Sequence, residues 1–226
     1  MSAGEQLTCG VTTDDLAFCW GANSSGQLGI GTEEGPASCF TGDNSETCST
    51  KPVRVRRGLA FSQVSAGLNH ACGVTTENVA YCWGGNSAGQ LGHRTSTGPE
   101  LCFDTDPCST RPIRVAGGLA FGGVDVGVFH TCGVTTSGAA YCWGASGALG
   151  VGGQTELERC FGVPCSTRPL AVLGGFTFLG VRAGAQSSCG VTSGNAAYCW
   201  GDNSFGQLGD GTTQRRLRPR RFVGAT

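Results

Sequence analysis

Thr131-Cys132-Gly133-Val134-Thr135 is followed after a turn by Ala140-Tyr141-Cys142-Trp143-Gly144. Two short runs of β-branched, aromatic and small residues flank a tight turn around Ser137-Gly138, which is the pattern of a β-hairpin. Pairing Cys132 with Cys142 puts Val134 opposite Ala140. Directly opposed residues at a non-hydrogen-bonded antiparallel site have Cα atoms roughly 4.5 Å apart, near the short limit for a disulfide. A disulfide here staples neighbouring strands of one sheet and stabilises the hairpin by about 2–3 kcal/mol.

The arrangement occurs four times. Cys9, Cys72, Cys132 and Cys189 each precede by ten residues a Cys-Trp-Gly, at Cys19-Trp20-Gly21, Cys82-Trp83-Gly84, Cys142-Trp143-Gly144 and Cys199-Trp200-Gly201. A spacing this strict makes the chain a repeat protein. In the first three copies a second, closer pair follows: Cys39 and Cys48, Cys102 and Cys108, Cys160 and Cys165. From the last of each pair to the next repeat is 24 residues, while the period shrinks from 63 to 60 to 57, so length varies only between Trp-Gly and the second cysteine of the small pair. Two further runs complete each unit. Lys51-Pro52-Val53-Arg54-Val55 opens a strand with proline at its start, and Phe61 to Gly67 recurs as Phe121 to Gly127 and Phe178 to Gly184. The class expected is all-β: blades of four antiparallel strands, about four repeats, in a β-propeller. The repeats run approximately 1–50, 51–110, 111–167 and 168–226 within a single domain, 1–226.

At these residues the chain resembles a known family. Ser65-Ala66-Gly67-x-x-His70-x-Cys72, then Trp83-Gly84-x-Asn86-x-x-Gly89-Gln90-Leu91-Gly92, is similar to the repeat of the regulator of chromosome condensation family. The last copy, Trp200 to Thr212, follows that pattern almost throughout. The resemblance implies a β-propeller, most often seven-bladed. The cysteines depart from the intracellular members and point to a disulfide-rich, bacterial-type member or fragment. Fifteen strands are expected, because Ser2-Ala3-Gly4 matches Ser65-Ala66-Gly67 and the strand before it is missing. The expectation is an incomplete ring, either a piece of a longer propeller or a protomer whose ring closes through a partner chain, with a self-contained four-bladed ring as the alternative.

Composition narrows the function. The net charge is −1 and only 14% of residues are charged, so no global field steers the chain to nucleic acid or an acidic membrane. No apolar run reaches the roughly 18–20 residues of a membrane span. All 14 cysteines fall in fixed pairs, with no C-x-x-C knuckle and only three histidines, which favours disulfides over zinc. Disulfides persist in oxidising compartments, so the chain is expected to be extracytoplasmic, secreted or at a cell surface, with its targeting segment absent from this sequence.

No nucleophile, phosphate-loop or metal motif stands out, so no enzyme activity, catalytic residue, metal or cofactor is expected. The recurrent Asn-Ser-x-Gly segments lack a nucleophile elbow, and Gly147 to Gly153 lacks the Lys-Ser/Thr of a phosphate loop. The four tryptophans sit at one repeating offset, which marks them as core rather than as a light-absorbing cluster. The arginines from Arg215 to Arg221 have only Phe222 beside them and read as a solvated edge.

Candidate binding residues come from two sets. Asn69, His70, Phe129, His130 and Gln186 follow the Ala-Gly turns or their counterparts and should line one propeller face, although histidines at this offset also serve structural roles. Phe40, Phe103 and Phe161 follow the first cysteine of each small loop, either as packing residues or as three aromatic anchors on one rim. Disulfide-stiffened loops lower the entropic cost of binding. The function expected is a protein-binding or structural surface module. Self-association or ring completion is a further expectation, and a propeller-type inhibitor or carbohydrate-binding module is the alternative. Among the precedents that the resemblance implies, nucleotide exchange on a nuclear GTPase conflicts with the cysteine chemistry. Inhibition of β-lactamase by one propeller face, and a repeat segment of large bacterial surface proteins, are compatible with it.

Overall fold

The fold is described from a computed structural model over residues 1–41, 44–56, 58–153 and 157–223; the side chains at 40, 41 and 44 fall outside that description. Four antiparallel sheets follow one another along the chain. The first contains β1 (Ser2–Ala3), β2 (Leu7–Val11), β3 (Ala17–Ala22), β4 (Ala37–Thr41) and β5 (Asn44–Arg54). The second contains β6 (Phe61–Ala66), β7 (His70–Thr75), β8 (Ala80–Gly85), β9 (Glu100–Cys102) and β10 (Asp106–Arg114). The third contains β11 (Phe121–Val126), β12 (His130–Thr135), β13 (Ala140–Ala145), β14 (Glu158–Cys160) and β15 (Val163–Ala171). The fourth contains β16 (Phe178–Ala183), β17 (Ser187–Thr192), β18 (Ala197–Gly201) and β19 (Arg216–Arg221). The strand order in the second sheet, β6-β7-β8-β10-β9, is that of a four-stranded blade with one strand added at its outer edge.

The expectation of fifteen strands is corrected to nineteen among the described residues. One addition is β1, in which Ser2 and Ala3 pair with Cys9 and Thr8 as Ser65 and Ala66 pair with Cys72 and Ala71. The other three additions, β4, β9 and β14, lie inside the small cysteine loops, which are hairpins rather than irregular loops. Their brevity hid them from periodicity: β9 and β14 have three residues each. The proline position is also corrected. Pro52, Pro112 and Pro169 lie inside β5, β10 and β15, where each pairing shifts register. A bulge removes the demand for a proline N–H. Ser49, Ser109 and Ser166 each donate a hydroxyl to a carbonyl two residues on, at 2.6 Å, within the bulge.

The hairpins form as their sequences dictate. Cys9 lies opposite Cys19, Cys72 opposite Cys82, Cys132 opposite Cys142 and Cys189 opposite Cys199. Their Cα atoms are 4.0–4.1 Å apart and all four pairs are disulfide-bonded. The turns close on Asp15, Asn78, Gly138 and Asn195, all at positive φ, a conformation that Gly, Asn and Asp adopt most readily. Cys39–Cys48, Cys102–Cys108 and Cys160–Cys165 bridge the added hairpins at 5.8–5.9 Å between Cα atoms.

The core lies between sheets. Each tryptophan from the second blade onward inserts under the preceding blade and donates its indole N–H to a carbonyl there. Trp83 bonds Gln27, Trp143 bonds Gln90 and Trp200 bonds Ala148, at 2.9–3.0 Å. Phe61, Phe121 and Phe178 pack on these rings with centroids 5.8–6.0 Å apart. Trp83, Trp143 and Trp200 are fully buried, as are β7 and β12 along their whole length, because neighbouring blades cover both faces of a middle strand. Trp20, in the first blade, is only half-buried. No helix among the described residues is long and apolar enough to cross a membrane.

Candidate functional site

The Trp-Gly end of each blade gathers the residues of interest on one face. Gly84 takes φ +101°, and a Cβ there would lie 2.5 Å from the Asn69 carbonyl oxygen and 2.7 Å from the His70 Cα, so only glycine fits. That contact draws the loop after Gly67 against the Trp-Gly bend. The cysteine hairpins start from the same end, since Cys108 pairs with Gly85 and Cys165 with Ala145. The tight turns at 12–16, 76–79, 136–139 and 193–196 lie at the opposite end.

The surface role assigned to His70 and His130 is corrected: both are buried in the seams between blades. The Thr131 hydroxyl donates to the Gln90 carbonyl at 3.0 Å, so it accepts from His70 Nε2 at 3.0 Å. In the next seam the Ser188 hydroxyl donates to Ala148 and accepts from His130 Nε2 at 2.9 Å. These networks assign the Nε2–H tautomer to both rings. Burial, and the neighbouring His130, push the His70 pKa down to about 3; burial pushes that of His130 down to about 4. Both are therefore neutral imidazoles without access to a substrate. In the first seam the same two slots hold Leu7 and Ala71, both buried in one apolar cluster. A polar pair or an apolar pair fills each seam, never one of each.

The remaining candidates do face outward. Phe129 and Gln186 are exposed, and Asn69 is half-buried against Gly85 with its Oδ1 lacking a hydrogen-bond partner. Phe103 is 53% and Phe161 70% exposed, which removes the packing alternative for these two. The side chain of Phe40 lies outside the described residues. Phe103 and Phe161 take φ +50° and +47°, a region that bulky side chains avoid. Leu101 and Val163, also in these hairpins, are exposed as well. The hairpins are tied down: Glu33 accepts the Phe103 N–H at 2.9 Å across a seam, Glu100 accepts the Thr110 N–H, and Glu158 accepts the Thr167 hydroxyl.

Charge is segregated in a way the sequence reading missed. Nine of 16 acidic residues fall within 33–50, 95–110 and 154–167, against a single basic residue, Arg159. The signal was a local count that the near-zero net charge concealed. At the third seam one cleft brings Phe129 and Gln186 of the first candidate set against Val163 of the hairpin β14–β15, whereas Phe103 and Phe161 of the second set do not line it. Among the described residues no three His, Cys, Asp or Glu side chains come together as metal ligands.

The architecture is that of consecutive β-propeller blades built on a Trp-Gly repeat. The profile described as "Regulator of chromosome condensation (RCC1) repeat" matches residues 14–74 and 195–225, and a second profile of the same description matches 61–90 and 180–207. The chain belongs to the RCC1 repeat family. It is 30% identical over 226 residues to the human "Probable E3 ubiquitin-protein ligase HERC6", covering 97% of this chain and 20% of that one. It is 29% identical over 223 residues to "Ultraviolet-B receptor UVR8" of Arabidopsis thaliana, covering 95% of this chain and 45% of the receptor. The crystal structure of Kap60 bound to yeast RCC1 (Prp20) contains a similar fold, with TM-score 0.75 and 21% identity, over 99% of this chain and 48% of that one. The chain thus spans less than half the length of these relatives.

Proposed function

We propose that this chain is an extracytoplasmic, disulfide-stapled propeller segment whose cysteine-hairpin face binds protein. The observation that carries the reading is the pair of exposed phenylalanines, Phe103 and Phe161, held at positive φ on disulfide-closed hairpins. A bulky side chain in that backbone region costs on the order of 1–2 kcal/mol. Exposing the same ring to water forgoes its burial energy. Strained residues of this kind cluster at functional sites, where the surrounding structure holds them. Aromatic anchors on pre-stiffened loops are the features that dominate protein interfaces. The acidic residues around them suit a partner with a basic surface, which they would attract and orient.

Two further observations support the reading. The yeast relative is described in complex with Kap60, and a second structure of it is described together with binding to Gsp1p and histones. Seven disulfides with no free cysteine suit an oxidising compartment. The ligase name of HERC6 is not carried over, since four-fifths of that protein lies outside the match.

Photo-crosslinking tests the face. A benzophenone amino acid replaces Phe161, Phe103 or, on the opposite face, Glu77, and the protein is exposed to the extracellular fraction of the cells that produce it. A discrete protein adduct is expected from 161 and 103 and not from 77. The same adducts from all three positions, or none from the hairpins, would overturn the reading.

A further inference from the structure

The third repeat is two residues short. The second repeat runs Trp83-Gly84-Gly85-Asn86-Ser87-Ala88-Gly89-Gln90-Leu91-Gly92, and the third Trp143-Gly144-Ala145-Ser146-Gly147-Ala148-Leu149-Gly150. What is lost includes the asparagine around which the loop is wound. Asn86 is fully buried; its Oδ1 accepts the Leu91 N–H at 3.1 Å and its Nδ2 donates to the Thr95 carbonyl at 2.8 Å. Asn23 and Asn203 do the same in the first and fourth repeats. In the third, a single 3-10 turn, Ser146–Ala148, replaces the loop.

The fourth repeat departs from the pattern on the same seam. Arg216 pairs with Gly201 as Ser109 pairs with Gly84 and Ser166 with Gly144, which puts Arg215 in the slot held by Cys48, Cys108 and Cys165. No cysteine hairpin precedes it. Arg215 reaches across the seam and lies so close over Gly147 that a Cβ on Gly147 would collide with the guanidinium. Gly147 is not at positive φ, so its turn does not require glycine; the small residue makes room for the arginine. Arg215 is exposed and has no ion-pair partner among the described residues. Asp202, near it by register, accepts from Ser204 and Gln207 at 2.6 Å.

The two departures leave a cleft of about 350 Å³, at the lower end of the range for small-ligand sites. Phe129 and Val163 form an apolar wall, 42% and 52% exposed, and Arg215 and Gln186 supply the polar groups. One unpaired guanidinium thus adjoins one apolar wall. A chain terminus presents that combination from a single Cα, a carboxylate and a side chain. The planar guanidinium matches a carboxylate with two parallel hydrogen bonds.

We infer that this cleft takes the C-terminal residue of a partner polypeptide, its carboxylate on Arg215 and a large apolar side chain against Phe129 and Val163. The inference rests on the reading of this face as a protein-binding surface and names a subsite within it. Gln186 carries both a donor and an acceptor for the last peptide group.

The probe is N-acetyl-phenylalanine, with N-acetyl-phenylalanine amide as its uncharged twin, titrated into the 15N-labelled protein by NMR. Saturable shifts are expected at the amides of Phe129, Gly147 and Gln186, with the amide twin at least tenfold weaker. Arg215→Gln removes the discrimination. Gly147→Ala keeps the charge but displaces the guanidinium, and weakens the acid by a similar factor. Spectra that otherwise match the parent protein show that both variants are folded. Equal binding of the two probes, or shifts centred away from the third seam, overturns the inference. Crosslinks at position 161 combined with no discrimination between the probes leave the face reading standing and remove the cleft. Discrimination without crosslinks does the reverse.

Discussion

Exchanging the second seam for the first tests how the blades are joined. His70 and Thr131 are a polar pair, whereas Leu7 and Ala71 fill the same two slots one seam earlier. In Thr131→Ala the Nε2–H of a fully buried His70 has no acceptor, and leaving such a donor unmade costs about 1–3 kcal/mol. In His70→Leu the Thr131 hydroxyl keeps its bond to the Gln90 carbonyl, so the expected cost is smaller, about 0–1 kcal/mol. The double variant reproduces the chemistry of the first seam and recovers most of the loss. The expected coupling is about 1–2 kcal/mol, well above the additivity error of about 0.3–0.5 kcal/mol. Denaturant unfolding at pH 7 of the four proteins, disulfides intact, reads it directly.

Acid supplies a second readout. The folded pKa of His70 is pushed down to about 3 and that of His130 to about 4, both below the unfolded value of about 6.5. Between those limits the unfolded chain binds more protons, so stability is full above pH 6.5 and declines as the pH falls. At pH 5 the loss is about 2 kcal/mol per histidine, because both folded values lie below 5. A chain of this length loses about 2–4 °C of Tm per kcal/mol, so the parent should melt roughly 8–16 °C lower at pH 5 than at pH 7 from the histidines alone. His70→Leu/Thr131→Ala should lose about half that decrement. Additive single costs together with an unchanged acid decrement would mean that His70 and Thr131 are not coupled across the seam.

Two other substitutions follow from the same seams. Gly92 sits at φ +68°, and a Cβ there would lie 2.6–2.7 Å from the indole of Trp143. Gly92→Ala should therefore destabilise by about 2–4 kcal/mol through backbone strain and displacement of a buried ring, measured as a fall in Tm. Removing the hairpin staple with Cys132→Ala/Cys142→Ala should cost about 2–3 kcal/mol by loop closure. Peptide mapping under non-reducing conditions should recover Cys132 joined to Cys142, and finding it free or joined to another repeat contradicts the hairpin register.

The hairpins, their disulfide partners and the repeat boundaries were legible because they depend on neighbours close in the chain. A ten-residue cysteine spacing with alternating small and β-branched residues admits one antiparallel register, and a one-residue slip would turn every side chain to the other face. Trp83, Trp143 and Trp200 were legible as core for the same reason: a large apolar ring at a fixed offset has to be buried somewhere in a stack of like units. The strands inside the cysteine loops were not legible. Three residues are too few for a period, and β9 exists because Cys102 and Cys108 are bridged and Glu100 is bonded to Thr110.

What repeats is encoded locally: sheet class, the four-stranded core of each blade, the cysteine pairs and the indole that plugs each seam. Which side of a blade each variable residue occupies is set by packing between sheets. His70 and Phe129 lie one residue from equivalent offsets, yet one is buried against the next blade and the other is half in water. The difference lies in what the adjacent blade presents, the Thr131 hydroxyl to His70 and an open cleft beside Gln186 and Arg215 to Phe129. Only the packed seam brought Arg215, 68 residues along the chain from Gly147, over that glycine. A local pattern encodes hydrogen bonding within a sheet; contacts between sheets depend on residues some sixty positions away, which no window on the sequence contains.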